Sequence, residues 1–539
     1  LLRDVAVVWK KMYLPYQKLR RSLSAIPALK SSAIHAAAAL TLLSQLATAA
    51  EPAQPIEPEK GRPNFVFIIA DDLGIGDVSA YGSTMIPTPH VDRLASQGVR
   101  ATDAQVTASV CTPSRYSILT GRNYWRLKRE WQGDLIVDDE VSTMAKTLTA
   151  AGYATGYFGK WHLGWGRIDP NRPREYRGDW DWNAESLAPG VLETGYQTFF
   201  GTPFSANEPP MVFVKDRTVV GRDPKDPIEV LGPKQEKYFG YGKSRGAAAA
   251  HAACALEKID LIVTEKAIQF LEENRAKPFY LHLALVAPHV PIAPDTQFKG
   301  RTKAGAYGDF VTQMDHCVGM VNDAIERLGL ADNTLVIFTS DNGAILNAQV
   351  HKTGHRSNLD LLGQKTDAWQ GGHRVPFIAR MPGKIPAGTV TDRLIAVSDF
   401  YATACELAGI PLPASACDTM SQASVLTNPQ AAAVRQEMTY NGITRPQVAL
   451  RSNEWLFLPG QGSFGVTTDP KHSWAMQFQK LGLVNSDFDE QGQIKPDAPG
   501  FQLYNLKDDP QQHTNLAEKY PEKVKELSER LQAMRAERK

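Results

Sequence analysis

An α/β fold with a large, mostly parallel central sheet sandwiched by helices is predicted by three apolar runs and the polar or turn-forming residues that end each. Asn64–Ala70, Phe279–Val286 and Thr334–Ser340 are nearly unbroken apolar stretches of strand length, as expected of strands buried on both faces. Ile259–Glu273 and the stretch from about Tyr307 to Leu328 carry helical periodicity between them. The runs end in Asp71-Asp72-Leu73-Gly74, Pro288-His289 and Asp341-Asn342-Gly343. Open α/β sheets bind ligands at these carboxyl ends.

The 539 residues suffice for a large core plus a smaller second part. Lys and Arg number 59 against 58 Asp and Glu, a balance that argues against a nucleic-acid surface and makes any anion chemistry local. At the N-terminus, Lys18, Arg20, Arg21 and Lys30 precede the apolar run Ala36–Leu43 and the small residues Ala47-Thr48-Ala49-Ala50. That pattern reads as a targeting segment over 1–50, too short to span a bilayer, with an uncleaved interfacial anchor as the alternative. Residues 51–63, rich in Pro and Glu, read as a linker. The expectation is an exported protein, periplasmic or secreted, with no stable membrane span.

Cys111, Cys254, Cys317, Cys405 and Cys417 form no Cys-x-x-Cys pair and no zinc spacing. Cys405 and Cys417 could bridge a short loop, and the odd count leaves one cysteine unpaired or altered. Cys111 opens Cys111-Thr112-Pro113-Ser114-Arg115. With Pro113 at a first helical position, the thiol stands just before a helix, at the end that stabilises anions. An inert buried cysteine is the plain alternative.

Asp71 and Asp72 repel each other unless a cation neutralises them, although Asp-Asp alone can be a solvated turn. Asp341 and Asn342 end the second strand in the same manner, and the four together offer the hard oxygens that suit Ca²⁺ or Mg²⁺. Val91–Gly98 and Ser142–Ala151 read as helices and Tyr153–Tyr157 as a strand leading into Gly159-Lys160-Trp161-His162-Leu163-Gly164. Lys160 and His162 share a face if that segment is extended, one to hold an oxyanion and the other to exchange protons. Residues 165–250 show no clean periodicity and read as loops over one end of the sheet. Gly242-Lys243-Ser244 is not a phosphate loop, because Lys237 stands where its first Gly is required. His282 reads as core.

His351, His355, Lys365 and His373 cluster in sequence, and Gly371-Gly372 allows close backbone approach. Val375–Met381 and Ser398–Ala408 read as strand and helix, with a junction over Gly409–Arg435. Met438–Leu458, Phe501–Leu506 and a helix from Pro521 to about Arg535 form a smaller part with an antiparallel sheet and a terminal helix. The expected boundaries are 64–435 and 436–539.

Ala-Asp-Asp-Leu-Gly at 70–74, Cys-Thr-Pro-Ser-Arg at 111–115, Gly-Lys-Trp-His-Leu-Gly at 159–164, Pro-His at 288–289, Ser-Asp-Asn-Gly at 340–343 and the stretch from Gly354-His355 through Lys365 to Gly371-Gly372 stand in one order. In that order the chain resembles a type I sulfatase of the arylsulfatase-like group, within the alkaline phosphatase superfamily, from Asn64 onward. The resemblance implies that a maturation enzyme oxidises Cys111 to formylglycine, whose hydrate is the nucleophile. It implies Ca²⁺, with Mg²⁺ second, on Asp71, Asp72, Asp341, Asn342 and residue 111. Arg115 would orient the hydrate, and Lys160 and Lys365 would clamp the sulfate. His162 would be the base for elimination and His289 the acid to the leaving oxygen.

The chain departs from the family pattern at Gln370, where relatives commonly carry Glu, and in lacking an Arg within Asp360-Leu361-Leu362-Gly363. Tyr196–Asn207 resembles a family loop near the substrate and is a specificity candidate. The resemblance implies a sulfuric ester hydrolase acting on a sulfated carbohydrate, or on a sulfated aryl or alkyl compound. A phosphonate monoester or phosphodiester hydrolase on the same scaffold and an inactive binding homologue are the alternatives; the intact site residues argue against the latter.

Overall fold

The strand that opens with Asn64 is the centre of the molecule in the computed structural model, which describes residues 61–127, 133–166, 180–231, 243–346, 348–443, 447–468, 478 and 480–537. The targeting segment expected at 1–50 and residues 51–60 of the linker lie outside the described residues. The main sheet comprises β1 (Asn64–Asp71), β2 (Val99–Ala101), β3 (Ala154–Gly159), β4 (Thr198–Gly201), β5 (Val214–Lys215), β6 (Thr218–Val219), β7 (Phe279–Pro288), β8 (Thr334–Ser340), β9 (Phe377–Arg380) and β10 (Thr389–Thr391). Across the sheet they run β10-β2-β9-β8-β1-β7-β3-β4-β5-β6. β1 is parallel to both β7 and β8, β3 is parallel to β7, and β4 is parallel to β3. Antiparallel pairing begins at β9 on one side and β5 on the other.

Apolar residues on both faces of β1 and β8 explain the unbroken runs. Phe65, Phe67 and Ile69 of β1 and Leu335 and Ile337 of β8 enter one core cluster. That cluster also holds Tyr116, Ile118 and Leu119 of α2 (Cys111–Thr120), Met144 and Leu148 of α3 (Met144–Ala150), and Phe400 and Tyr401 of α6 (Phe400–Ala408). Val66, Ile68, Val336 and Phe338 face the other way, onto α1 (Pro89–Ser96), α4 (Ile259–Asn274) and α5 (Gly305–Arg327). Each fully buried Phe or Ile contributes about 1.5–3 kcal/mol relative to exposure, so a one-residue slip of β1 would exchange the two sets. His282 is core, as expected: it stands opposite Phe67, and its Nδ1 lies 3.0 Å from the hydroxyls of both Tyr196 and Tyr280. Burial, with Arg115 nearby, holds it well below the usual imidazole range.

Several sequence expectations shift. The stretch 165–250 contains strands rather than loops alone: β4, β5, β6 and a small pair, Glu229–Leu231 with Lys243–Arg245. At two to four residues these strands are too short for a period to show. The Cys405–Cys417 bridge is not formed. Cys405, on α6, packs inside the core, while the Cys417 thiol turns to the Asp418 carboxylate at 3.8 Å. Among the described residues, no helix is long and apolar enough to cross a membrane.

Residues 56–539 cluster as one unit, and a four-stranded antiparallel sheet forms its C-terminal part: β11 (Glu437–Asn441), β12 (Val448–Ser452), β13 (Trp455–Leu458) and β14 (Gln502–Asn505). One face of this sheet takes Val524, Leu527 and Leu531 of α7 (Pro521–Ala536). The other face packs Met438, Tyr440, Leu456 and Tyr504 against Leu362 and Trp369. Trp369 also donates its Nε1 hydrogen to Gln502 at 2.9 Å. His373 is part of this contact and not of an anion site. Its ring stacks on Tyr440 with centroids 4.4 Å apart, and Nδ1 lies 2.8 Å from the Val106 carbonyl.

Burial lowers the His373 pKa to about 4, whereas an unfolded chain takes up that proton near pH 6.5. The unfolded state therefore binds more protons between those values, and the contribution of His373 to stability falls as pH drops. His373→Phe keeps the stack but not the titration. Its stability relative to the parent is expected to improve by about 3 kcal/mol between pH 7 and pH 4, read from denaturant midpoints across that range.

Candidate active site

Cys111 is the first residue of α2, and its neighbours gather from four strand ends. Ser114 N donates to Val110 O at 3.0 Å, so the helix starts at Cys111 and Pro113 is its third residue, two later than the sequence suggested. All of α2 is buried. Cys111 Sγ lies 3.4 Å from Asp71 Oδ1, 3.7 Å from Asp72 Oδ1 and 3.2 Å from Lys365 Nζ. Between Ile69 and Asp71 the register of β1 slips against β7, which sets Asp71 opposite Pro288 and brings His289 to the same end of the sheet. His289 Nε2 lies 3.6 Å from Asp72 Oδ2, and Nδ1 donates to its neighbour's carbonyl, Val290 O, at 2.5 Å.

Each carboxylate has a cation on it. Lys160 Nζ is 2.6 Å from Asp71 Oδ2, and Lys365 Nζ is 2.7 Å from Asp72 Oδ1. Arg115 places Nε and Nη2 each 2.8 Å from Asp341 Oδ2 and lies 3.7 Å from Asp71. Asp341 Oδ1 accepts the Asp72 backbone N–H at 3.1 Å. Burial pushes the Asp71 carboxyl up, but Lys160, His289 and Arg115 outweigh it and hold it well below the usual range. Burial likewise opposes charge on Lys365, and Asp72, Cys111, Asp71 and Asp341 together outweigh it and raise the ammonium well above its ordinary value. The Cys111 thiol is pushed well up by burial and by Asp341, so it stays protonated, and a protonated thiol is a poor nucleophile.

The donor set fits a hard divalent cation. Asp71, Asp72, Cys111 and His289 converge so that their potential ligand atoms lie within 4.8 Å of one another. Asn342 Nδ2 donates to Asp72 Oδ1 at 2.7 Å, whereas its buried Oδ1 has no hydrogen-bond partner. An acceptor oxygen left bare beside buried carboxylates is the arrangement a cation completes.

The loops beneath the cluster are tied backbone to backbone. Gly343 N donates to Gly372 O at 3.0 Å, Lys365 N to Ala344 O at 3.1 Å and Thr366 N to Ser109 O at 2.8 Å. A Cβ on Gly343 would stand 1.9 Å from Gly371 O, which bears out the close approach read from Gly371-Gly372. Asp72, His162 and Thr366 have φ of 63°, 56° and 85°. For residues other than glycine such left-handed backbone costs about 1–3 kcal/mol, and it persists where the surroundings over-determine it.

That φ at His162 corrects the expectation of an extended segment with Lys160 and His162 facing one way. β3 ends at Gly159, Lys160 turns to Asp71, and His162 turns to Glu208 and Ser205. Of the four residues read together at 351–373, only Lys365 enters the cluster. His355 Nε2 instead meets Asp77 Oδ1 at 2.7 Å, and Tyr307 donates to Asp77 Oδ2 at 2.6 Å, bracing the turn after Asp72. His351 lies beside Arg356, and burial and that guanidinium lower its pKa to about 4. The sequence did not single out Asp77, Glu208 or Tyr307, and it marked Ser205 only as part of the Tyr196–Asn207 loop. Asp77, three residues past Gly74, carried the one usable signal, a capping carboxylate for the Gly74 N–H at 2.8 Å.

The sulfatase family model matches residues 63–410, well over half of the chain. The chain belongs to the sulfatase family. An N-acetylgalactosamine-6-O-sulfatase of Bacteroides thetaiotaomicron is 32% identical over 523 residues, covering 89% of this chain and 96% of its own. A steryl-sulfatase of Mus musculus is 35% identical over 412 residues, covering 69% of this chain and 66% of its own. A solved Bacteroides thetaiotaomicron structure, described under the metabolism of multiple glycosaminoglycans, superposes with a TM-score of 0.76 at 32% identity, covering 88% of this chain and all of the other.

This sulfatase is a sulfuric ester hydrolase, and its geometry suits that reaction. Transfer of a sulfuryl group builds charge on the leaving oxygen, and preorganised cations stabilise that charge in a water-poor site. Lys160 has a fully buried side chain and Lys365 one that is 12% exposed, so the cluster opens to solvent on the Lys365 side. Gly343→Ala forces Gly343 and Gly371 apart and so displaces Asn342 from Lys365. A loss of about 10²-fold in kcat/KM is expected, measured on an aryl sulfate, with secondary structure by circular dichroism retained.

Proposed function

We propose that this sulfatase removes sulfate from a carbohydrate. The observation that carries the reading is Cys111 Sγ, 3.4 Å from Asp71 and 3.2 Å from Lys365, at a strand-end cluster in a chain similar to a relative named as an N-acetylgalactosamine-6-O-sulfatase. Residue 111 acts as formylglycine, made from Cys111 by a maturation enzyme. The hydrate of that aldehyde provides the hydroxyl nucleophile that a protonated thiol cannot. Asp71, Asp72, Asp341, Asn342 Oδ1 and residue 111 would hold a hard divalent cation, which the family resemblance makes Ca²⁺ before Mg²⁺. When bound, the cation supplies positive charge to the sulfate oxygens.

The chain's own residues do the rest. Lys160 and Lys365 clamp the sulfate, and Arg115, anchored on Asp341, orients residue 111. His289 donates its Nδ1 hydrogen to Val290 O, which leaves Nε2 to exchange protons; protonated there, it is the acid for the leaving oxygen. Burial and Lys365 lower its pKa, which readies it to release that proton. His162 is the base that takes a proton from residue 111. Residues 202–208 sit beside His162 and shape substrate fit. We take 64–435 as the part that performs the chemistry and 436–539 as its brace. The basic residues and the apolar run Ala36–Leu43 support export to the periplasm or beyond.

Peptide mass mapping of active enzyme is expected to find an aldehyde at residue 111, and Cys111→Ala to lower kcat/KM by at least about 10³-fold. Hydrolysis should be faster on 6-sulfated amino sugars than on an aryl phosphodiester; the reverse order overturns the reading. Dialysis against a chelator is expected to abolish turnover, with Ca²⁺ restoring more of it than Mg²⁺.

A further inference from the structure

The end of β7 is held by a buried carboxylate that no step above uses. Between the pairs Ile69–Ala284 and Asp71–Pro288, β7 advances four residues while β1 advances two. The ladder of β7 with β3 also stops at Ala284, opposite Gly159. Leu285, Val286 and Ala287 therefore have no registered partner on either neighbour, and β7 bulges there. Buried N–H groups freed in this way need another acceptor. Asp260, the second residue of α4, supplies it: Oδ1 accepts from Val286 N at 2.7 Å and Oδ2 from Ala287 N at 3.0 Å. His289 N then closes the turn on Val286 O at 3.0 Å. A carboxylate presents an acceptor oxygen to each of the two donors, which an amide cannot do.

We propose that Asp260 is the positioning residue of His289: by holding the bulge it sets where the imidazole stands beside the leaving oxygen. Asp260 is fully buried, and its neighbours Ile259 and Val263 pack in one core cluster with Leu285 and Val286, so its own place is fixed. Burial pushes its carboxyl up to about 7, although both N–H donors favour the charged form. His289 lies two residues past Ala287, with Nε2 3.6 Å from Asp72 Oδ2. A shift of the bulge carries that ring with it, whereas Lys160 and Lys365 are held by Asp71 and Asp72. Misplacing an acid by about 1 Å can cost about 10²-fold, and the loss falls on leaving groups that need the proton.

The inference rests on His289 as the acid, so the test compares two esters in the mature, metal-loaded enzyme. The phenolate of para-nitrophenyl sulfate leaves readily, and that of phenyl sulfate needs the proton more. The ratio of their kcat/KM values does not depend on how much of a preparation is folded. Asp260→Asn is expected to lower kcat/KM about 10- to 10²-fold on phenyl sulfate and less than about 3-fold on para-nitrophenyl sulfate. His289→Ala is expected to show the same split, larger, and Asp260→Asn to widen it no further in the His289→Ala background. Should Asp260→Asn not fold, Asp260→Glu displaces the same bulge and the same ratio is read. An unchanged ratio in the Asp260 variant, or a further split on top of His289→Ala, overturns the proposal. A His289→Ala enzyme that loses both esters equally overturns the acid role of His289 and the proposal with it, leaving the sulfatase reading intact.

Discussion

Three buried carboxylates balanced by three buried or nearly buried cations are the constraint on which the rest of the structure depends. Asp71, Asp72 and Asp341 meet Lys160, Lys365 and Arg115 at 2.6–2.8 Å. Each of these charges alone would cost several kcal/mol to bury, and truncating one partner leaves the other uncompensated. The cluster is therefore stable only as a set, and the set is assembled from residues up to 294 positions apart. A divalent ion would join a site whose lysines are already present to meet the anionic group of an incoming sulfate ester, so cation and anion can share one pocket without either being left unbalanced.

Topology makes this convergence cheap. β1, β7, β8 and β3 are parallel, so their carboxyl ends emerge together and deliver Asp71–Asp72, His289, Asp341–Asn342 and Lys160 with little intervening loop. Cys111 and Lys365 come from outside this logic. They are held by backbone ties among residues 107–109, 343–344, 366, 372 and 441. The C-terminal sheet enters here, since Asn441 ends β11 and Trp369 packs on that sheet. Its contacts brace the loop that carries Lys365.

The parts of this arrangement legible in the sequence were those with a local signal. Asn64–Ala70 and Thr334–Ser340 announced buried strands because both of their faces are covered, and the polar residues after them marked the sheet's working end. His282 was legible as core because it interrupts an apolar run. The two- to four-residue edge strands between 198 and 245 carried no period long enough to detect. His373 looked like a site residue from its position among other histidines, and only its stack on Tyr440 shows that it packs. Glu208 was invisible for a different reason: it stands beside His162, 46 positions earlier, through ties of Trp161 N to Thr202 O and His162 N to Pro203 O, which sequence does not encode locally. The divergence of Lys160 and His162 was equally hidden, because the left-handed turn at His162 falls on a residue type that gives no warning of it.

The burial of α2 bears on when residue 111 can be altered. Cys111 is 2% exposed, and the segment before it is pinned when Ser109 N bonds to Asn441 O, a contact across 332 residues. If residue 111 is converted as proposed, a modifying protein would find Cys111 shielded once that pin is in place. The opportunity would then lie while the chain is still emerging, because Asn441 is synthesised long after Cys111. At roughly 5–20 residues per second the interval is on the order of tens of seconds, a clock set by chain length.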